Sequence, residues 1–230
     1  MNVLLFGASG MVGQGVLREC LLDPDVERVQ SVGRSPTGIQ HQKFSETVHR
    51  DLWHYSEIEP DLSGFDACFF CLGVSSAGMK AEEYEHITYG ITLAAAQTLC
   101  RLNPQMRFLY VSGAGTDSTE QGKSMWARVK GRTENALLRL PFAAAYMFRP
   151  GIIQPVHGVT SKTTAYRVFY AITKPLLPLL RFMFPNHVLT TEEIGRAMLK
   201  VARSGYPKPI LESKDIRTAA AQAALGGAAQ

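Results

Sequence analysis

The sequence lacks any long hydrophobic segment. None of its uncharged apolar stretches reaches the length of about 18 residues that a membrane-spanning helix requires. The apolar opening MNVLLF is also too short for a secretory signal, and it runs directly into a glycine-rich loop. We therefore expect a cytoplasmic protein with no membrane-spanning helix and no targeting segment.

Cysteine is scarce, at four residues in 230, and its placement argues against a metal site. Cys68 and Cys71 form a CxxC pattern within FDACFFCLG, an apolar stretch that is typical of a strand. Side chains three residues apart on a strand point to opposite faces, so these thiols cannot clamp one metal ion. We expect free thiols in a reducing compartment and no metal site.

Acidic residues are scarce in the second half of the chain. Residues 1–117 carry 8 basic against 14 acidic side chains, whereas residues 118–230 carry 16 against 6. This positive charge favours an anionic cofactor, an acidic substrate or a phospholipid surface as a partner. The basic residues are dispersed rather than gathered in dense runs, so no nucleic-acid partner is expected.

Short apolar segments alternate with helical patterns along most of the chain. Strands are predicted at VLLFGASG, ERVQSVGR, TVHRDLW, FDACFFCLG, RFLYVSGAG, AAAYMFRPGII and PKPILES. This order predicts an α/β fold, a Rossmann-type doubly wound parallel sheet with helices on both faces. We expect one domain over residues 1–217, in which residues 151–189 form a small C-terminal substrate cap. Residues 218–230 are a low-complexity tail, expected to be frayed or loosely helical.

The segment GASGMVG, residues 7–13, ends the first strand and opens a helix. In that context its glycines predict a dinucleotide site: the first for a tight turn, the second for approach of a pyrophosphate, the third for close helix packing. The free N–H groups and positive dipole of the helix N-terminus would face the phosphates. The predicted site comprises Gly7, Ser9, Gly10, Met11, Val12 and Gly13.

The end of the second strand favours NADP over NAD. An acid at this position grips the ribose hydroxyls in sites that prefer NAD, but no acid occurs between Glu27 and Glu46. Arg34 would pair with a 2′-phosphate and Ser35 would add a donor. The alternative is that Arg34 is a solvated loop residue that stacks on the adenine.

Two further strand ends are candidate contacts for the dinucleotide. Asp51 and Leu52 follow the third strand and would meet the adenine edge. Cys71, Leu72 and Gly73 end the fourth strand and would line the ribose. Both groups have the alternative of being strand ends with no ligand contact.

These residues resemble the short-chain dehydrogenase/reductase superfamily in its atypical and extended branches. The resemblance is strongest to small NAD(P)-binding epimerase-like oxidoreductases of the Tat-interacting reductase-like kind, and it covers roughly residues 2–217. It rests on GASGMVG, Asp51-Leu52, CLG at 71–73 and VSGAG at 111–115, then on the lysine of ARVKGRTE, RPG at 149–151 and ILESKDIR. Its implication is an oxidoreductase or epimerase-like enzyme with a small carbonyl-type substrate.

The resemblance also implies catalytic roles for three residues. In the family, a serine at the end of strand five orients the substrate, and a tyrosine four residues before a lysine is the acid/base. The lysine holds the nicotinamide ribose of the cofactor and lowers the pKa of the tyrosine. Here Ser112 and Lys130 match the serine and the lysine, but Trp126 occupies the tyrosine position. An indole N–H only donates and cannot shuttle a proton near neutral pH. The alternative function is therefore an NADP(H)-binding sensor or regulatory protein without turnover.

Other groups are candidates for a missing proton donor or for the pocket lining. Tyr84, Tyr89, Tyr110 and His157 are the alternative proton donors, each with a structural role as the rival interpretation, and Lys130 would serve if burial depressed its pKa. By the resemblance, Pro150, Gly151 and Ile152 contact the cofactor, and Gln154 and His157 approach the substrate.

The segment at residues 166–185 is basic and broken by prolines. Arg167, Lys174 and Arg181 recur every seven residues among apolar side chains. This segment has four alternative interpretations: a helix pair packed on the sheet, a lid over a lipophilic substrate, a peripheral membrane contact, or a partner or dimer surface. By analogy with related folds, helices at 81–102 and 124–139 would form a homodimer surface.

Overall fold

A computed structural model of the chain describes residues 1–159 and 187–227. Its centre is a seven-stranded sheet in the order β3-β2-β1-β4-β5-β6-β9, in which every neighbouring pair is parallel. The strands are Asn2–Phe6 (β1), Arg28–Gly33 (β2), Phe44–Val48 (β3), Ala67–Phe70 (β4), Arg107–Val111 (β5), Ala144–Arg149 (β6) and Ile210–Glu212 (β9). The order reverses between β1 and β4, which places a crevice at the carboxyl ends of these two strands.

Helices cover both faces of this sheet. They are Met11–Leu22 (α1), Ala81–Glu85 (α2), Ile91–Leu102 (α3), Met125–Leu138 (α4), Thr191–Ser204 (α5) and Ser213–Gly227 (α6), with a short 3-10 helix at Ser56–Leu62. One apolar cluster packs α1, α5 and α6 against one face, and a second packs α3 and α4 against the other. The predicted Rossmann-type fold is confirmed. No helix among the described residues is long and apolar enough to cross a membrane.

The two thiols of the CxxC pattern lie in different parts of this core. Cys68 belongs to the cluster under α3 and α4, whereas Cys71 packs against the cluster under α1 and α5. The alternation of side chains along β4 therefore separates them, as the sequence predicts.

The predicted helix at 81–102 contains an irregular turn. Residues His86–Gly90 form a π-helical turn between α2 and α3. The Trp53 ring lies where a Gly90 side chain would be, since a Cβ there would come within 2.3 Å of the indole. Trp53 also stacks on His86, with ring centroids 4.0 Å apart. The turn thus accommodates an aromatic side chain from the loop after β3.

The tail expected to be frayed or loosely helical is helical as far as residue 227, where its description ends. The helix α6 runs to Gly227, and Ala219 and Ala220 are buried in the core beside Ile216. The packed chain therefore extends beyond the predicted boundary at 217.

The predicted sixth strand is also divided in two. β6 ends at Arg149, and a separate strand Ile152–Gln154 (β7) pairs in parallel with Val188–Thr190 (β8). Pro150 cannot donate a backbone hydrogen bond, which favours a break at this point. This small sheet is the described part of the predicted cap, because residues 160–186 and hence the basic segment 166–185 lie outside the described residues.

Candidate functional site

A tight glycine turn joins β1 to α1. Gly7 has φ +84°, a conformation that favours glycine, and a Cβ there would lie 2.7 Å from the backbone of Cys71 and Leu72. A Cβ on Gly13 would lie 2.0 Å from the Gly7 carbonyl oxygen. The turn and the first turn of α1 are therefore packed backbone against backbone, which only glycine permits at these two positions.

The N-terminus of α1 offers free backbone donors at the carboxyl edge of the sheet. Gly10 is the N-cap residue, and no side chain caps the helix there. The first turn carries no acidic residue, so the positive end of the helix dipole is not neutralised locally. Ser9 directly precedes the N-cap residue, and Met11 and Val12 lie in the first turn of α1. The arrangement suits an anionic group such as a pyrophosphate.

Arg34 and Ser35 directly follow β2, and both side chains are exposed. Among the residues that the structure describes, no hydrogen bond or ion pair engages Arg34. The next acid after Arg34 in the sequence, Glu46 on β3, accepts hydrogen bonds from the Thr37 backbone at 2.9 Å and from the Ser31 hydroxyl at 3.3 Å. The carboxylate thus orders the loop after β2, and the Arg34 guanidinium stays available.

The two residues after β3 are placed differently from each other. Asp51 accepts hydrogen bonds from the Trp53 backbone and from His54 Nδ1, at 2.9 Å and 2.8 Å. The His54 contact is the main reason that the pKa of Asp51 is lowered. Leu52 is buried in the core, so its side chain does not line the crevice. Asp51 alone of this pair is exposed at the edge.

Cys71, Leu72 and Gly73 pass directly beside the glycine turn. The Cys71 backbone N–H donates to the Phe6 carbonyl at 2.9 Å and extends the pairing of β4 with β1. Burial raises the pKa of the Cys71 thiol well above its usual range, so the thiol is neutral. A Cβ on Gly73 would meet no atom within 4 Å, and the backbone there is open to a ligand.

Ser112 and Lys130 meet at the carboxyl end of β5. The Lys130 ammonium donates to the Ser112 carbonyl oxygen. Burial lowers the pKa of Lys130 to about 8, although the Glu134 carboxylate opposes the shift. The Ser112 side chain is 7% exposed, and its hydroxyl lies within hydrogen-bonding distance of Glu134 Oε1 and of the Phe148 carbonyl.

A buried ion pair lies directly behind Ser112. Glu134 is fully buried on α4, and Arg149 at the end of β6 is 8% exposed. The Arg149 Nε lies 3.1 Å from both Glu134 oxygens, and its Nη2 also donates to Glu134 Oε2. The guanidinium further donates to the Ser118 hydroxyl at 2.5 Å and contacts Glu212 at 3.3 Å. The pair therefore connects β5, α4, β6 and the loop between β5 and α4.

Trp126 lies one turn before Lys130 on α4, next to the loop that follows β5. Its ring is half-buried, and a Cβ on Gly115 would lie 3.5 Å from the indole Cη2. The indole thus covers the VSGAG loop beside Ser112 and Lys130. It occupies this place without a group that can exchange a proton near neutral pH.

The other candidate proton donors are engaged or buried. Tyr84 and Tyr110 are almost fully buried, and burial raises the pKa of Tyr110 far above its usual range. Tyr89 lies under the Arg132 guanidinium, 4.6 Å from ring centroid to Cζ. His157 contacts Glu192 Oε2 at 2.7 Å and has a positive φ of 56°. Lys130 is the only partly exposed amine of this cluster within the described residues.

The segment after β6 passes along the same edge of the sheet. The Pro150 carbonyl accepts from the Ala114 backbone at 2.8 Å, which joins this segment to the loop after β5. Gly151 donates to the Ser213 hydroxyl at 2.8 Å, and a Cβ there would lie 2.7 Å from the His187 carbonyl oxygen. Ile152 is 41% exposed and Gln154 is half-buried.

Sequence reasoning did not identify Glu134 and Arg149 as parts of the site. A local signal for Glu134 exists, because it lies four residues after Lys130 and so one turn along the same helix face. In the sequence, Arg149 stands out only as part of the RPG motif. Its pairing depends on the register of β6 against β5, which the spacing of charges along the chain does not reveal.

Comparison with known proteins identifies relatives of similar length. No protein-family model matches the chain. It is 28% identical over 219 residues to the protein FMP52-2, mitochondrial, of Scheffersomyces stipitis, covering 93% of this chain and 90% of that protein. It is 25% identical over 155 residues to the protein HTATIP2 of Rattus norvegicus, covering 66% and 62% respectively.

Solved structures share the fold at low sequence identity. The Bordetella bronchiseptica enzyme WbmF in complex with NAD⁺ superposes with a TM-score of 0.65 at 14% identity, over 96% of this chain and 77% of that one. A short-chain dehydrogenase/reductase family oxidoreductase from Burkholderia thailandensis gives 0.66 at 14% identity, over 97% of both chains. The chain therefore shares its fold with short-chain dehydrogenases/reductases and is similar in sequence to FMP52-2 and HTATIP2, in agreement with the resemblance that its motifs carry.

The same comparison corrects the expected location. Fungal relatives at 22% to 28% identity are named mitochondrial, which contradicts the expectation of a cytoplasmic protein. The expectation rested on the absence of a recognisable targeting segment, and that absence does not determine the compartment.

Proposed function

We propose that this short-chain dehydrogenase/reductase-like chain binds a nicotinamide dinucleotide, preferably NADP, and transfers hydride between it and a small, apolar carbonyl-type compound. The observation that carries the proposal is the glycine turn at the start of α1. Gly7 and Gly13 leave no room for a side chain, and the uncapped helix N-terminus presents backbone donors at the carboxyl edge of the sheet. WbmF, a neighbour in fold, was crystallised with NAD⁺ and with NAD⁺ and UDP, which supports a nucleotide ligand at this edge.

The preference for NADP is argued from charge. Arg34 is exposed and unpaired among the described residues, and Glu46 is engaged beneath the loop by Thr37 and Ser31. A guanidinium forms strong paired hydrogen bonds with a phosphate, whereas the described loop after β2 contains no carboxylate that could bind a ribose hydroxyl. Arg34 would therefore bind the 2′-phosphate of NADP, a group that NAD lacks.

The chemistry that such a dinucleotide supplies is hydride transfer. Reduction of a carbonyl also consumes one proton, which a protein group or water must deliver to the oxygen. Trp126 cannot deliver it, but the Lys130 ammonium carries protons and has its pKa lowered to about 8 by burial. A group that titrates near the working pH is a suitable general acid. Ser112 and Trp126 would then shape the pocket around the substrate.

A second candidate function is a dinucleotide-binding sensor or regulatory protein without turnover. It is favoured by Trp126 in place of the tyrosine and by the position of the Ser112 hydroxyl beside Glu134 and the Phe148 carbonyl. Under this proposal the chain would bind NADPH but consume none with any substrate.

Binding and turnover experiments separate these functions. NADPH and NADH are titrated by fluorescence, and NADPH consumption is then followed against a panel of small aldehydes and ketones. We expect binding of NADPH and turnover that Lys130→Ala reduces. NADPH binding that Lys130→Ala leaves unaffected, together with no turnover on any substrate, would contradict the proposed enzyme function. Absence of binding by both dinucleotides would overturn both functions.

The variant Trp126→Tyr tests what the tryptophan does. A tyrosine there would restore the acid/base spacing of the family. Higher turnover in the variant indicates a vestigial site, and lower turnover indicates a pocket adapted to the indole. Trp126→Phe is the matched control, because it opens the same space without adding a hydroxyl.

Location and assembly are proposed from the relatives and from the sequence. The names of the fungal relatives favour a mitochondrial location for this chain, testable by fractionation of cells that express it. A homodimer through the helices at 81–102 and 124–139, and a membrane contact through 166–185, remain predictions.

A further inference from the structure

The buried ion pair behind the candidate site places the carboxylate of Glu134 against Ser112. Glu134 is fully buried, and it lies one helical turn after Lys130 on α4. The Arg149 fork contacts both of its oxygens, a geometry that matches an ionised carboxylate. Glu134 thus holds a negative charge under Ser112 and Lys130, at a place where neither solvent nor substrate reaches it.

The Ser112 hydroxyl has only one proton to donate, and protein acceptors surround it. Glu134 Oε1 and the Phe148 carbonyl, the latter at 3.2 Å, both lie within reach. An ionised carboxylate cannot return a hydrogen bond, so the serine must donate to it. The hydroxyl can then offer a substrate only an oxygen lone pair, and it cannot polarise a carbonyl by donation.

Lys130 is left as the proton-bearing group. Its ammonium uses one N–H on the Ser112 carbonyl, and the side chain is only partly buried, unlike Ser112, Glu134 and Arg149. Two N–H groups remain for a ligand. The negative charge one turn below favours the ammonium form over the neutral amine.

We propose that Glu134, fixed by Arg149, is a positioning residue that accepts the hydrogen bond of the Ser112 hydroxyl and keeps Lys130 charged as the donor of the site. The claim that Lys130 donates a proton rests on the proposed function. The claim that Glu134 keeps Lys130 charged concerns the protein without any ligand. Beyond Glu134, the cluster contains Arg149 and the carboxylate of Glu212, which contacts Arg149. Further titratable groups on α4 and the elements packed against it are the surface pair Arg132 and Glu85 and the buried phenols of Tyr84 and Tyr110.

The electrostatic part is tested on the protein without any dinucleotide. Lysines are labelled with a trace of acetic anhydride from pH 6 to 10, and peptide mass spectrometry gives the titration of Lys130. Glu134→Gln keeps the size of the side chain and an acceptor for Ser112 but removes the charge. We expect the Lys130 midpoint to fall by about one unit, so labelling at pH 7.5 rises about threefold. An unchanged midpoint in a folded Glu134→Gln would overturn the proposal.

Two controls keep this test decisive. Glu212→Gln removes the other carboxylate on Arg149, which is half exposed, and we expect it to leave the Lys130 midpoint unchanged. If Glu134→Gln does not fold, Glu134→Asp takes its place. It keeps the charge, so the midpoint should stay close to that of the natural protein. A fall of a full unit in Glu134→Asp would show that packing, not charge, sets the titration, and would contradict the proposal.

The hydroxyl part is tested by Ser112→Ala once a turned-over carbonyl is known. We expect kcat/KM to fall by less than about tenfold, because the hydroxyl proton faces Glu134 and not the substrate. A loss of a hundredfold or more, with KM little changed, would show that the hydroxyl donates to the reacting carbonyl and would overturn this part. Failure of NADPH to bind would refute the proposed function, while the lysine titration would still decide the role of Glu134.

Discussion

Substitution of Gly13 by alanine perturbs the feature on which the proposed function depends. A Cβ at Gly13 would lie 2.0 Å from the Gly7 carbonyl oxygen, so it must move by about 1.4 Å to reach an ordinary contact of 3.4 Å. The opposing atoms are backbone atoms of the glycine turn, and no flexible side chain can yield. Either α1 tilts away from β1 or the turn itself opens.

The expected cost follows from two opposing terms. Overpacking of this kind costs about 3 kcal/mol, and alanine in place of glycine within a helix returns about 1 kcal/mol. The net loss of about 2 kcal/mol corresponds to a fall in melting temperature of about 4–8 °C for a chain of this size. Displacement of the helix N-terminus by about 1 Å should also weaken NADPH binding by about 10- to 100-fold.

Gly10→Ala is the matched control for this prediction. A Cβ there would lie 3.3 Å from the Gly7 carbonyl oxygen, a contact that small shifts relieve. We therefore expect Gly10→Ala to unfold within about 2 °C of the natural protein and yet to bind NADPH more weakly, because the new methyl group meets the pyrophosphate. Melting followed by circular dichroism and binding followed by fluorescence measure both effects. A Gly13→Ala variant that melts and binds like the natural protein would refute the packing argument.

Three further predictions address the charged groups of the site. Arg34→Ala should weaken NADPH binding about 10- to 100-fold and leave NADH binding within about twofold, measured by fluorescence titration; equal losses for both would exclude a contact with the 2′-phosphate. Glu134→Ala leaves the Arg149 charge buried and should cost about 3–5 kcal/mol in chemical unfolding, against less than about 1 kcal/mol for Glu212→Ala at the exposed partner. Lys130→Met should raise the free energy of unfolding at pH 7 by about 1–2 kcal/mol. The pKa of Lys130 in the folded protein, about 8, lies below its ordinary value of 10.5, so the charged side chain destabilises the folded protein below pH 8. The difference between Lys130→Met and the natural protein should shrink as the pH rises from 8 towards 10.5, and a constant difference would contradict the shifted pKa.

The glycine turn and the sheet were predictable because their signals are local. GASGMVG lies between an apolar strand and a helix, and the positive φ of Gly7 and the close approach at Gly13 follow from that context. The helix at 81–102 was predictable from its pattern, but its π-helical turn was not. That turn accommodates Trp53, which comes from a loop about 30 residues earlier and leaves no mark on the helical periodicity.

The interior of the candidate site was less predictable. Leu52 belongs to a motif that suggested a ligand contact, but its apolar side chain is buried in the core. Glu134 and Arg149 carry charges that are usually exposed, and only their pairing across α4 and β6 allows their burial. The compartment could not be predicted either, since neither composition nor the lack of an apolar leader specifies it.

The most direct test of the central claim is a titration of the natural protein with NADPH and NADH, read from tryptophan fluorescence. Trp126 lies beside the glycine loop after β5, and Trp53→Phe isolates its signal from that of the second tryptophan. We predict saturable NADPH binding with a Kd in the micromolar range, about tenfold or more tighter than that of NADH. No saturation by either dinucleotide at about 1 mM would contradict it.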